Sequence, residues 1–209
     1  TSNAASEGGG IYNGRYSHPR IHNCFFTGNS AVEKGGGVFN SDLTEAWITN
    51  GLFVGNLVAT AEGGGAIANH GSVYSVTIVN STFSLNSWTG GDASGSALYN
   101  GTPLIALGDS HVLIANCIFW DNPAPTEGSC ILNEARFPFT VYLDIISSDT
   151  QEPWDSIVNR NGAVTELWDF SLAEDPLFVN AGSIEGSDGM LFTSDDGFRL
   201  RETSPCLDT

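Results

Sequence analysis

The fourfold recurrence of Asn-x-x-Phe-x-x-Asn constrains this chain more than any other feature. NCFFTGN (23–29), NGLFVGN (50–56), NSTFSLN (80–86) and NCIFWDN (116–122) hold three positions and change nearly everything between them. A second motif alternates with the first: GGGIYN (8–13), GGGVFN (35–40), GGAIAN (64–69), GSALYN (95–100) and GSCILN (128–133). Their closing residues Asn13, Asn40, Asn69, Asn100 and Asn133 are 27, 29, 31 and 33 positions apart. Self-similarity at such a period marks a solenoid.

The apolar segments between the motifs are short, β-branched and broken by Gly and Asn, as in AWIT, YSVTIV and SHVLIA. Helical repeats need apolar positions at i, i+3 and i+4 over ten or more residues, and these segments are too short for that. They read as strands. A unit of 27–33 residues holding two or three short strands is one turn of a parallel β-helix, each turn stacked about 4.8 Å above the last. The expected fold class is therefore all-β, with one sizeable core and no reason to cut the chain into independent domains.

Stacking puts like residues above like. Phe26, Phe53, Phe83 and Phe119 are expected to form an interior ring column, each ring stabilising by roughly 1.5–3 kcal/mol on burial. Asn23, Asn50, Asn80 and Asn116 form one expected amide ladder, and Asn29, Asn56, Asn86 and Asn122 a second. Asn also tolerates the left-handed backbone of a tight corner. The glycine pairs suit corners where φ is positive or where stacked backbones come close. Ile11, Val38, Ile67, Leu98 and Ile131 supply an aliphatic column.

The alternation of GG-small-aliphatic with FxxN resembles the passenger repeats of polymorphic outer-membrane proteins and, more widely, secreted bacterial right-handed parallel β-helix proteins. The ending EDPLFVN (174–180) followed by DDGFRLRETSPCLD (195–208) is similar to the DPLF…DFRL…SPxxD close of β-helix proteins with a choice-of-anchor domain. The resemblance implies right-handed coiling, an extracellular or bacterial cell-surface location and a structural, adhesive or assembly role. No β-barrel translocator accompanies the repeats, so autotransport itself is not implied.

Residues 1–135 carry the regular turns; 136–209 read as irregular final turns and a cap within the same domain. VYLDIISSD (141–149) is a further strand without the Phe and Asn signals, and 150–170 reads as a loop excursion anchored by Trp154 and Trp168. A cap is needed because an uncovered last turn exposes a β edge. Thr1 opens in the middle of a repeat, so a piece of a longer protein is expected.

Twenty-four acidic residues against seven basic ones give a net charge of −17, with 18 of the acids after Leu104. Nucleic-acid binding needs a basic footprint that this balance lacks. No apolar run approaches the ~20 residues of a membrane span. The expected partners are other parts of a larger surface protein, or an extracellular glycan or protein. The four cysteines show no metal spacing. Cys24 and Cys117 share a column three turns apart, about 14 Å and too far for a bridge, whereas Cys130 with Cys206 stays open. His18, His22, His70 and His111 read as surface or loop residues.

Two candidate chemistries remain. β-Helices host glycosidases and polysaccharide lyases; an inverting glycosidase needs two carboxylates about 6.5–9.5 Å apart, for which Asp109, Asp121 and Asp144 on consecutive turns are the weak candidates. A lyase needs cationic groups, and Arg136 is the only base near the middle of the later turns. The loop EGSDGMLFTSDDG (185–197) is oxygen-rich, which suits Ca²⁺. Asp188, Asp195 and Asp196 are its candidate ligands, with Glu185 as a further one, without EF-hand spacing. The competing reading is an acidic turn with no metal, and no other cofactor is expected.

Overall fold

A computed structural model describes residues 2–59, 63–71, 75–90, 95–102, 107–123, 129–151, 157–167, 171–191 and 193–207. Its described strands wind into coils. The first coil holds β1 (Ala4–Glu7), β2 (Ile11–Asn13), β3 (Arg20–His22) and β4 (Phe25–Thr27). The second holds β5 (Ser30–Lys34), β6 (Val38–Asn40), β7 (Ala46–Thr49) and β8 (Leu52–Val54). The third holds β9 (Leu57–Val58), β10 (Ile67–His70), β11 (Ser75–Val79) and β12 (Thr82–Ser84). The fourth holds β13 (Ser87–Trp88), β14 (Gly95–Gly101), β15 (Ser110–Ala115) and β16 (Ile118–Trp120). Two shortened coils follow: β17 (Ser129–Glu134), β18 (Val141–Ile146) and β19 (Asp149–Thr150), then β20 (Ile157–Arg160) and β21 (Val164–Leu167).

Equivalent strands of successive coils pair in parallel and build four sheets. Sheet I is β1-β5-β9-β13, sheet II β2-β6-β10-β14-β17-β20, sheet III β3-β7-β11-β15-β18-β21 and sheet IV β4-β8-β12-β16-β19. The molecule is a parallel β-helix. Regular pairing runs past position 135, where the motifs stop: β20 and β21 lie in the stretch expected to be a loop, and each adds a rung to an existing sheet. Their segments IVNR and VTEL carry alternation without the Phe signal, which is why they escape motif reading. Trp154 and Trp168 lie outside the described residues.

The core fills the coil. Phe26, Phe53, Phe83 and Phe119 stack nearly parallel, with centroids 4.7, 4.8 and 4.5 Å apart. Ile21, Ile48, Ile78, Ile114 and Ile145 form a column on the sheet III side, and Val38, Ile67, Leu98 and Ile131 another on the sheet II side. Each ring needs a small neighbour two positions earlier. A Cβ added to Gly51 would lie 2.7 Å from the Phe53 ring; Cys24, Ser81, Cys117 and Ser148 hold the equivalent places, and this column explains two of the cysteines.

The GG motif has two separate causes. Gly35 sits at φ 62°, the left-handed region. A side chain on Gly36 would put Cβ 2.3 Å from the Gly65 carbonyl oxygen of the next coil. The first glycine shapes the corner and the second lets the coils stack.

After Leu172 the chain leaves the coil. Leu172 bridges to Asp149, and the Glu174 N–H donates to Asp149 Oδ1 (3.3 Å), so the chain turns back. The described residues of 173–207 run out along the flank over sheet IV and back, Phe178 bridging antiparallel to Leu200 and Cys206 returning to Asp149; Ile184, Leu191, Phe198 and Arg199 face Phe25, Leu52 and Thr82 across a cleft. Val54 and Ser84 point outward from sheet IV, yet both are buried. The expected end cap is, in its described residues, a strap along the side.

Candidate functional site

Three asparagine columns run along the coil, two buried and one exposed, and they differ in task. In the column expected as the second ladder, Asn29 Nδ2 donates to Asn56 Oδ1 (2.9 Å), Asn56 Nδ2 to Asn86 Oδ1 (2.9 Å) and Asn86 Nδ2 to Asn122 Oδ1 (3.0 Å). Each Oδ1 also accepts the backbone N–H of the Asn below it, and Asn3 begins the series. Asn56, Asn86 and Asn122 donate in addition to the carbonyls of Phe26, Phe53 and Phe83. This column ties corner, ring column and neighbouring coil together.

The column Asn23, Asn50, Asn80, Asn116 behaves otherwise. All four are exposed, at φ 52, 54, 51 and 50°, and among the described contacts one amide bond links them, from Asn50 Nδ2 to Asn23 Oδ1 (3.0 Å). Their shared feature is the left-handed corner, where Asn costs less than most residues. The third column is a ladder that the repeat pattern marked but the sequence reading did not identify as one: Asn13, Asn40, Asn69, Asn100, Asn133 and Asn159, joined Nδ2 to Oδ1 at 2.7, 2.7, 2.8, 2.8 and 2.9 Å. The constant closing Asn of the glycine motif was its signal.

The acids proposed as a catalytic set do not converge. Asp109 Oδ1 accepts the Thr140 N–H (2.8 Å) at the start of the β18 rung. Asp144 lies four residues beyond Thr140, about 13 Å along that strand. Asp121 occupies a left-handed corner beyond sheet IV, facing Gln151. The adjacent acids on the coil are instead Asp144 and Glu166, rung partners on the outer face of sheet III. That face also carries Trp47, with the Arg20 guanidinium 5.3 Å from its ring centre, and His111 stacked on Tyr142 at 4.8 Å. Sequence alone hid this grouping because the residues belong to different coils and to no motif.

In the 185–197 loop the acids serve as local acceptors. Asp195 Oδ2 takes the Ser187 hydroxyl (2.6 Å), the Ser187 N–H (2.7 Å) and the Asp188 N–H (3.2 Å), while Oδ1 takes the Thr193 hydroxyl (2.8 Å). These bonds hold its carboxyl well below the usual range, the Ser187 hydroxyl first. Asp188 accepts the Met190 N–H and Asp196 the Thr193 N–H. Among the described residues no group of three or more His, Cys, Asp or Glu is gathered for a metal ion.

The cysteines are free. Cys206 does not bridge to Cys130; its thiol donates to Asp149 Oδ2 (3.0 Å) and fastens the strap to sheet IV. Burial pushes this thiol up to about 12 and raises the Asp149 carboxyl above its ordinary value. His70 departs from the surface reading: burial, then nearby Lys34 and Arg136, lower its pKa to about 4, so the ring is neutral.

The described cleft under the strap has a volume of about 250 Å³. Phe25, Leu52, Ile184, Leu191 and Phe198 give it apolar walls, with Asn50, Asn80, Asp196 and Arg199 at its polar positions. No family model, curated protein or solved structure matches the chain. The family resemblance therefore rests on the quoted motifs.

Proposed function

We propose that the chain is a non-enzymatic, rigid β-helical module of an extracellular or cell-surface protein, with a structural, adhesive or assembly role. The observation that carries this reading is the in-register stacking of coils, with Phe rings and asparagine amides repeated at the same positions. Such columns fix the pitch of a rod and commit most of its recurring residues to holding that pitch. The dispersed positions of Asp109, Asp121 and Asp144 support the same reading. The test is a reducing-end assay against a broad panel of plant, bacterial and animal polysaccharides. No turnover is expected; reproducible turnover of any one of them would refute the proposal.

A second reading, glycan binding or cleavage on sheet III, is favoured by the stacked His111 and Tyr142 near Asp144 and Glu166, with Trp47 outward three rungs away on the same face. Aromatic faces stack on apolar sugar faces, and adjacent acids are the residues a glycosidase uses. Glu166 stands in solvent, so this pair has no water-excluded pocket around it. Glycan-array binding lost in Trp47→Ala would favour the second reading, and cleavage lost in Asp144→Asn would make it catalytic.

A further inference from the structure

The outward face of sheet III is complementary to itself, and we propose that it is an interaction surface for a second copy of this chain, packed face to face with the two coils antiparallel. Among the described residues this is the long face that no other segment covers. Sheet I has strands of only two residues in β9 and β13. The outward row of sheet II is already buried as the cluster of Phe39, Ala68, Tyr99 and Leu132, and the strap lies over sheet IV. On sheet III the central outward column runs Arg20, Trp47, Thr77, Leu113, Asp144, Glu166. Trp47 is 43% exposed, Arg20 and Glu166 stand in solvent, and Thr77 and Leu113 are half-buried. The neighbouring outward column of Thr49, Val79, Ala115 and Ile146 holds no charge. The face looks sideways from the coil, so it does not depend on which coils precede or follow.

Charge sets the orientation. Arg20 stands toward one end of the central column, and Asp144 and Glu166 lie side by side as rung partners toward the other. Two such faces with antiparallel coil axes bring Arg20 of one copy against Glu166 of the other, Trp47 against Asp144, and Thr77 against Leu113. Two-fold symmetry forms each of these contacts twice. The Arg20 guanidinium already lies over the Trp47 ring, 5.3 Å from its centre, so it is held on the face. In the dimer it relieves the two acids that the rung pairing sets together. With parallel axes the same column would set Arg20 on Arg20 and Glu166 on Glu166, and like charges across an interface repel. Thr77, Leu113, Val79 and Ala115 supply an uncharged centre for sheet-on-sheet packing. Six rungs of about five residues make a face of roughly 24 by 17 Å, on the order of 400 Å² per copy. A standard interface takes about 800 Å² from each partner. The dimer is therefore weak, with a dissociation constant on the order of 10⁻⁵ to 10⁻⁴ M. A contact that uses the same patch on both copies closes on itself, so assembly stops at two.

This inference rests on the assembly role proposed above, but the two fail separately. Turnover of a polysaccharide would remove the non-enzymatic reading without touching the dimer, and a strictly monomeric chain would remove the dimer while leaving the rod intact. The test is analytical ultracentrifugation of the whole chain from micromolar to millimolar concentration. A reversible equilibrium between monomer and dimer, without larger species, is expected. Arg20→Glu should weaken it by about tenfold or more, Glu166→Arg should do likewise, and the double swap in one chain should restore it. Raising salt should weaken the parent dimer. Thermal midpoints of the variants, both sites being exposed, report whether the fold survives. A monomer at every concentration would overturn the proposal, and glycan binding that is lost in Trp47→Ala would then give the face to sugar. Open-ended association, a parent dimer indifferent to salt or to Arg20→Glu, or a double swap that fails to restore it would overturn it equally.

Discussion

The coil and the strap are built by opposite means, although they lie against each other. In the coil nearly every side-chain bond joins residues 26–39 positions apart, as in Asn56 to Asn86 or Asn122 to the Phe83 carbonyl. In the strap the bonds within 185–197 span two to eight positions, as in Asp188 to Met190 and Asp195 to Ser187. One region takes its shape from neighbours far away in sequence; the other closes turns on itself and is laid down on a finished surface. Damage to the coil should therefore propagate through the fold, and damage to the strap should stay local.

The largest expected effect is Phe83→Ala. It removes the ring between Phe53 and Phe119 and should cost about 3–5 kcal/mol in denaturant unfolding. A loss below about 1 kcal/mol would mean that the ring column does not bear on stability.

Two asparagines of one motif come next. Asn86→Ala strands the Asn56 N–H, the Asn56 amide and the Phe53 carbonyl, at a cost of about 2–3 kcal/mol. Asn80→Ala leaves only a strained left-handed corner, about 1 kcal/mol, and Asn80→Gly should recover most of it. Equal losses for Asn86→Ala and Asn80→Ala would erase the distinction between ladder and corner.

Acid should separate the regions. His70 is held neutral down to about pH 4, below its ordinary 6.5. In that window the unfolded chain binds a proton that the fold refuses, so coil stability falls as pH drops from 6.5 toward 4. The depressed Asp195 keeps its stabilising bonds above the ordinary carboxylate range and loses them only below it. Asp149, raised by burial, has the contrary sign: its junction loosens as pH rises through the raised value. Thermal melts of parent and His70→Phe should keep a constant offset above pH 6.5, and toward pH 4 the parent should lose stability relative to the variant, if titration of His70 governs the slope. Parallel curves would remove His70 as the cause.

The smallest effect is a gain. Leu85 stands at φ 57° and is largely exposed where Gly28 and Gly55 occupy the same corner in earlier coils. Leu85→Gly relieves a left-handed leucine and should stabilise by about 0.5–1 kcal/mol after the glycine entropy cost. In the strap, millimolar Ca²⁺ should leave the melting temperature unchanged, because the loop acids already have internal donors. A Ca²⁺-dependent rise would restore Asp188, Asp195 and Asp196 as ligands.

Reading by motif works where chemistry repeats. Phe26 through Phe119 and Asn29 through Asn122 are legible because one coil's environment recurs in the next, and the same physical demand selects the same residue. It fails for β20 and β21, whose segments carry no Phe signal, and for the grouping of Arg20, Trp47, Asp144 and Glu166, which share a column without sharing a motif. It also assigned one ladder too many on the corner side and overlooked the Asn13–Asn159 ladder. The side chain of a left-handed Asn and that of an inward Asn look alike in sequence; direction is a backbone property.

By itself, then, the amino-acid order determined a parallel coil, its register and its ring column, since period-matched residues have no other arrangement that buries them together. Tertiary structure alone decided that residues 173–207 lie along sheet IV rather than over the end. A chain without period carries no record of which surface it covers, and burial of Val54 and Ser84, the Cys206 to Asp149 bond and the turn at Glu174 settle that choice only once the coil exists.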